Sequence, residues 1–149
     1  GVFIVDLDAE AAPTTVNNFV TLARYHYYEG VAFHRIIPGF MVQGGDAVGP
    51  LPGTGGPGYQ FDDELQGGEG PFYEVGSIAM ANSGGNTNGS QFFVVTGDAG
   101  VGLPDQYNRF GSVTTGLDVV LGIEAAGSPD RSGQPLEEVV IESVTIIES

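Results

Sequence analysis

Arg35 is one of only four cationic side chains in the chain, with Arg24, Arg109 and Arg131, and it falls in a run otherwise made of Phe33, Ile36 and Ile37. A guanidinium offers a rigid fork of charged donors, so among apolar residues it is either a structural ion pair or a donor aimed at a ligand. Two segments favour the ligand: Phe33-His34-Arg35-Ile36-Ile37-Pro38-Gly39-Phe40-Met41-Val42-Gln43-Gly44-Gly45-Asp46 and Met80-Ala81-Asn82-Ser83-Gly84-Gly85-Asn86-Thr87-Asn88-Gly89-Ser90-Gln91-Phe92-Phe93. Each sets hydrogen-bonding side chains among aromatic and apolar ones, the pattern of a concave site that desolvates its ligand and then orients it. Covalent and metal chemistry find little support. There is no cysteine, Ser90 follows no nucleophile-elbow motif, and His26 and His34 are too few for a three-histidine metal site. No metal or cofactor is expected. Gly53-Thr54-Gly55-Gly56-Pro57-Gly58 fits G-x-G-x-x-G only formally, since no strand leads in and Pro57 interrupts any helix behind it. Asp62-Asp63-Glu64 reads as solvated acids rather than a calcium loop, and Asn88-Gly89-Ser90 is a glycosylation sequon by pattern only.

With 149 residues the chain suits one domain, residues 1–149, with enough length for a core that needs no disulfide. The net charge of -15 reflects a lack of bases, for there is no lysine at all. Such a surface repels phosphate, which disfavours nucleic acid and anionic lipid as partners. No apolar run reaches the roughly 18 residues of a membrane span, and no basic-then-apolar leader opens the chain. A soluble monomer is expected, in the cytoplasm rather than exported.

Element signals surround the two segments. Val2–Leu7 reads as a strand, and Pro13 opens a helix whose Val16, Phe19, Val20 and Ala23 recur at helical spacing and which ends near Tyr25 to Gly30. Val31–Gly45 reads as two strands joined by a tight turn at Pro38-Gly39, and residues 44–70 as a long Gly- and Pro-rich loop. Ser77–Ala81 and Gln91–Thr96 are strand candidates. Gly116–Glu124 is a second helix with Leu117, Val120 and Ile123 on one face, and Val139–Ile147 closes the chain as a strand. Many short strands with two helices point to a closed β-architecture.

In residue order and spacing, segments 33–46 and 80–93 resemble the cyclophilins, peptidyl-prolyl cis-trans isomerases. The resemblance implies a mainly β fold, an eight-stranded antiparallel barrel capped by two α-helices. In that family a complete first strand precedes the stretch that Gly1 to Leu7 resembles. The barrel is therefore expected to lack a strand between this stretch and the C-terminal one, leaving unpaired edges. The resemblance also assigns roles. Arg35 would be the cationic donor, Gln43 would position the substrate carbonyl and orient the arginine, and the Asn82 N–H would bind the carbonyl before proline. Phe40, Met41, Phe93 and Leu103 would seat the proline ring, with Tyr107 as the pocket wall where the eukaryotic type has histidine. Ala81 and Gln91 would line the groove, and Gly53 and Thr54 the rim of a side pocket that sets specificity. Gly100-Val101-Gly102-Leu103 offers no tryptophan where many members carry one, so cyclosporin should bind weakly. Both departures resemble bacterial-type members.

The reaction fits such residues. The X-Pro bond rotates over a barrier of ~18–20 kcal/mol because rotation breaks amide conjugation, and unaided it takes tens of seconds. A catalyst must exclude water and stabilise a twisted amide whose nitrogen has become basic. Reaching milliseconds takes about four to five decades, roughly 5.5–7 kcal/mol. A charge-assisted hydrogen bond contributes about 1.5–3 kcal/mol, so a desolvated pocket and a fixed backbone donor must supply the rest. The expected function is therefore isomerisation of X-Pro bonds in proline-containing peptides and in unfolded or partly folded proteins. A weakly catalytic proline-peptide binding module, or a structural domain of a larger assembly, are the alternatives at this level.

Overall fold

Residues 1–149 are all described by the computed structural model. Strands β1 (Ile4–Leu7), β2 (Arg35–Ile37), β3 (Met41–Gly44), β4 (Ser77–Met80), β5 (Phe92–Val95) and β6 (Arg109–Thr115) form one sheet. Its order is β1-β6-β4-β5-β3-β2, with every neighbouring pair antiparallel. Helices α1 (Pro13–Arg24), α2 (Asp98–Val101) and α3 (Leu117–Glu124) complete the fold.

The mainly β, antiparallel expectation therefore holds, with changes in detail. There are six strands rather than eight, the sheet is not closed, and three helices stand where two were expected. Two elements had no strong signal. α2 is a single turn, and β6, Arg-Phe-Gly-Ser-Val-Thr-Thr, is mostly polar or small with no sustained alternation. The expected C-terminal strand Val139–Ile147 is only begun. Phe33 N–H bonds Val139 O at 2.9 Å, Ile141 N–H bonds Val31 O at 2.9 Å, and Gly30 N–H bonds Ile141 O at 2.7 Å. Beyond Ile141, residues 142–149 make no backbone–backbone hydrogen bond. A strand needs a neighbour, and here the outer edge of β1 and this tail both lack one.

Side-chain alternation along the strands divides the interior in two. Ile36, Val42, Ile78, Met80, Phe92 and Val94 join the larger cluster with Val16, Phe19 and Leu22 of α1 and Val120 of α3. Ile37, Met41, Ala79, Phe93 and Val95 join a smaller cluster on the opposite face with Tyr73, against which Phe40, Ala81, Leu103 and Tyr107 pack. In β2 to β5 the even-numbered residues thus build the helix-covered core and the odd-numbered ones face the other way, whereas in β1 the odd-numbered Val5 and Leu7 pack against the helix-covered core. That second face carries most of the residues singled out in the sequence.

Candidate active site

Arg35 and Ile37 alternate along β2, and Met41 and Gln43 along β3, so the hairpin presents all four to the odd-numbered face. Register then lines residues up across the sheet: Arg35 pairs with Gln43, Gln43 with Phe93, and Phe93 with Ala79. The connection between β2 and β3 is the expected tight turn, with Gly39 at φ 74° and the Phe40 N–H closing on Ile37 O at 3.1 Å. A positive φ there suits glycine, which has no Cβ to clash. The turn is held from the other side, because Thr96 N–H bonds Phe40 O at 3.0 Å and Ala99 N–H bonds Gly39 O at 3.2 Å. Phe40 is thereby fixed at the lip of the hollow.

That hollow, of about 530 Å³, is lined by Arg35, Phe40, Met41, Gln43, Gly53, Ala81, Asn82, Phe93, Leu103 and Tyr107. Ten of the twelve residues singled out in the sequence therefore meet at one place. The other two, Thr54 and Gln91, line an adjoining, more polar hollow of about 640 Å³, which shares Gln43, Gly53, Ala81 and Asn82 with the first. Met41 and Phe93 are buried and form an apolar floor. The Tyr107 ring meets Phe93 edge-on, centroids 5.4 Å apart and planes at 90°, a favourable aromatic geometry. Tyr73 fixes Tyr107 from behind: its hydroxyl donates to Tyr107 O at 2.8 Å and accepts from Tyr107 N–H at 3.1 Å. Burial is the main cause that pushes the Tyr73 phenol up to about 12, so it keeps the proton it donates.

Polar groups sit at the rim. The Arg35 guanidinium donates from Nη1 to Gln43 Oε1 at 3.3 Å, and Gln43 Nε2 donates to Gln91 Oε1 at 3.1 Å. No carboxylate lies within 4.0 Å of Arg35, since the arginine ion pairs of the molecule are Arg24–Glu148 and Arg109–Glu74. The structural ion-pair reading of Arg35 therefore fails. Asn82 is held by its side chain, which donates to Gln106 O at 2.8 Å and accepts from Gly84 N–H at 3.2 Å. Its backbone N–H donates to no group of the protein and remains free for a ligand carbonyl.

Sequence reasoning missed part of the lining. His34, Pro52, Ser132, Gly133 and Gln134 also border the apolar hollow. Segment 132–134 arrives because Ile36 N–H bonds Gly133 O at 3.0 Å, a pairing across almost a hundred residues that no local pattern announces. His34 lies inside the first motif, but the sequence raises it only as a metal ligand. Its Nδ1 is in fact buried without a partner.

The sequence matches the cyclophilin type peptidyl-prolyl cis-trans isomerase/CLD family over residues 1–146. The chain belongs to the cyclophilin family. Among curated cyclophilins it is 43% identical to peptidyl-prolyl cis-trans isomerase-like 1 of Gibberella zeae, covering 99% of this chain and 90% of that protein. It is also 43% identical to peptidyl-prolyl cis-trans isomerase B of Streptomyces anulatus, over 91% of this chain and 85% of that one. A crystal structure of a Cryptosporidium parvum cyclophilin type isomerase, determined in the presence of the dipeptide Ala-Pro, superposes with a TM-score of 0.86 at 32% identity. That superposition covers 99% of this chain and 93% of the other. The chain is thus a cyclophilin-type peptidyl-prolyl cis-trans isomerase, and the enzyme alternative prevails over a binding module or a structural domain. No helix is long and apolar enough to cross a membrane.

Proposed function

We propose that residues 1–149 act as one isomerase domain in which Arg35 is the catalytic donor. The observation that carries this reading is the Arg35 guanidinium, held by Gln43, facing no carboxylate, and bordering the hollow floored by Met41 and Phe93. In this reading Phe40, Met41, Phe93, Leu103 and Tyr107 seat the proline ring and exclude water. The free Asn82 N–H takes the carbonyl of the preceding residue, and Gln43 orients Arg35. As the C–N bond turns, conjugation is lost, the nitrogen becomes pyramidal, and its lone pair accepts from the guanidinium. That contact exists only in the twisted state, so it lowers the barrier rather than tightening ground-state binding.

Ala81, Gln91, Gly53 and Thr54 border the neighbouring hollow, which we assign to the substrate residues before proline. Substrates are X-Pro segments in peptides and in unfolded or partly folded proteins, taken by a soluble, cytoplasmic monomer. The net charge of -15 argues against nucleic acid as a partner. Exchange NMR on a short Ala-Pro peptide tests the reading. Arg35→Ala should cut turnover at least about tenfold, equivalent to about 1.4 kcal/mol of transition-state stabilisation. Equal rates for variant and parent would overturn it. The chain contains no tryptophan, so no indole N–H is available beside Leu103, and cyclosporin should bind weakly. Titration calorimetry checks this, and tight binding would contradict it.

A further inference from the structure

Asp46 borders neither hollow, yet the segment that forms their shared wall is wrapped around its carboxylate. Oδ1 accepts from Gly49 N–H at 3.0 Å and Oδ2 from Gly53 N–H at 2.6 Å. The space is too tight for any side chain at two of the surrounding positions. A Cβ on Gly49 would lie 2.9 Å from each carboxylate oxygen, and one on Gly55 would lie 2.0 Å from Oδ1. Burial pushes the carboxyl up, but the N–H groups of Gly55, Gly53 and Gly49, with the His34 ring, outweigh it and hold the group below its usual range. The wall is therefore built on a carboxylate anion.

The wrapped segment ends at Gly55, and its carbonyl has a partner of its own. Gln91 Nε2 donates to Gly55 O at 3.0 Å, Gln91 Oε1 accepts from Gln43 Nε2 at 3.1 Å, and Gln43 Oε1 accepts from Arg35 at 3.3 Å. Each primary amide has one donor end and one acceptor end, so fixing one end fixes which way the other points. The Gly55 carbonyl sets Gln91, Gln91 sets Gln43, and Gln43 sets the guanidinium. A catalytic group displaced by about 1 Å can lose about a hundredfold in rate.

We propose that Asp46 is a positioning residue for isomerisation: by anchoring the Gly49–Gly55 segment it fixes the Gly55 carbonyl and, through Gln91 and Gln43, the direction of Arg35. The inference rests on the Arg35 reading above. It predicts a defect in turnover that exceeds any defect in binding: Asp46 itself borders neither hollow, although the segment it anchors carries Gly53 and Thr54 of their wall. Asp46→Asn keeps size but replaces one acceptor oxygen with a donor that faces backbone N–H groups.

The test measures kcat and KM for a short Ala-Pro peptide by exchange NMR in Asp46→Asn, Gln91→Ala, the double variant and Arg35→Ala. Asp46→Asn should lower kcat about fivefold or more and by a larger factor than it raises KM, and should add less than about twofold to the kcat loss in the Gln91→Ala background, since coupled residues are non-additive. The Gln91 side-chain amide resonances should also shift in Asp46→Asn. Unchanged kcat, or a full multiplicative loss on top of Gln91→Ala, overturns the inference. If Asp46→Asn does not fold, Asp46→Glu, which keeps the charge but lengthens the side chain, is measured in its place, and Gln91→Ala must still lower kcat; an unchanged kcat in either sinks the relay. Arg35→Ala separates the two failures. A rate equal to the parent's removes the catalytic reading itself, whereas a fall there with none in the Asp46 and Gln91 variants removes only the relay.

Discussion

His34 stands between opposite charges, and its protonation reports on both. Burial is the largest influence and opposes the imidazolium, Asp46 favours it, and Arg35 opposes it, leaving the pKa below 6.5. The neutral ring is thus the native form. A base whose folded pKa is depressed contributes fully to stability above about pH 6.5 and loses that contribution as pH falls through the folded value. Ring-nitrogen NMR should find the His34 midpoint below 6.5, moving upward in Arg35→Ala; a midpoint at or above the ordinary value would contradict this. The two motifs made most of the site legible in the sequence, because Arg35, Phe40, Met41, Gln43, Ala81, Asn82 and Phe93 all fall inside them. Ser132 to Gln134 were illegible, since a single long-range backbone bond brings them there.

Helix α1 shows how an element can depend on a distant residue. Its periodicity and Pro13 start were plain in the sequence, but Ala12 at the N-cap has no side-chain acceptor for the first free N–H groups. Glu64 supplies it from the long loop, accepting from Thr14 N–H and Thr15 N–H at 2.9 Å each and from the Thr15 hydroxyl at 2.7 Å. The Asp62-Asp63-Glu64 run, read as solvated, is therefore partly engaged; Asp63 also accepts from Asn88 Nδ2 at 2.8 Å. Burial raises the Glu64 carboxyl, but the Thr15 and Thr14 hydrogen bonds outweigh it and leave the pKa lowered. Glu64→Gln should cost about 1 kcal/mol at neutral pH, the usual value of a helix cap. Because the folded pKa is depressed, that advantage exists above the unfolded value and fades as pH falls through the folded one. The gap between the denaturant midpoints of parent and variant should narrow as pH falls below the ordinary glutamate range; a gap that stays constant with falling pH would count against the assignment. Periodicity reports the helix, whereas a cap supplied from another segment leaves no local trace.

At the scale of the whole molecule, one sheet separates two jobs by residue parity along β2 to β5, with even-numbered residues packing under the helices and odd-numbered ones bordering the candidate site. The strand runs were legible because β-branched and aromatic residues cluster in them. Their order in the sheet was not, because register is fixed by pairings remote in sequence. Sheet closure depends likewise on neighbours rather than on local pattern. Val139–Ile147 has a strand-like composition, yet only its first residues find a partner, while Val144 and Ile146 still rest against the core.

That unpartnered tail has a practical outcome. Proteases grip substrates as extended chains with open amides, and residues 142–149 already leave their amides open, so cutting them requires no prior unfolding of the sheet. Limited digestion with a glutamate-specific protease should begin at Glu142 or Glu148 and leave a trimmed body containing every residue assigned to catalysis, with intact mass spectrometry reading the order of cuts. First cleavage inside the β3 to β5 region would show instead that the centre of the sheet opens before its end does.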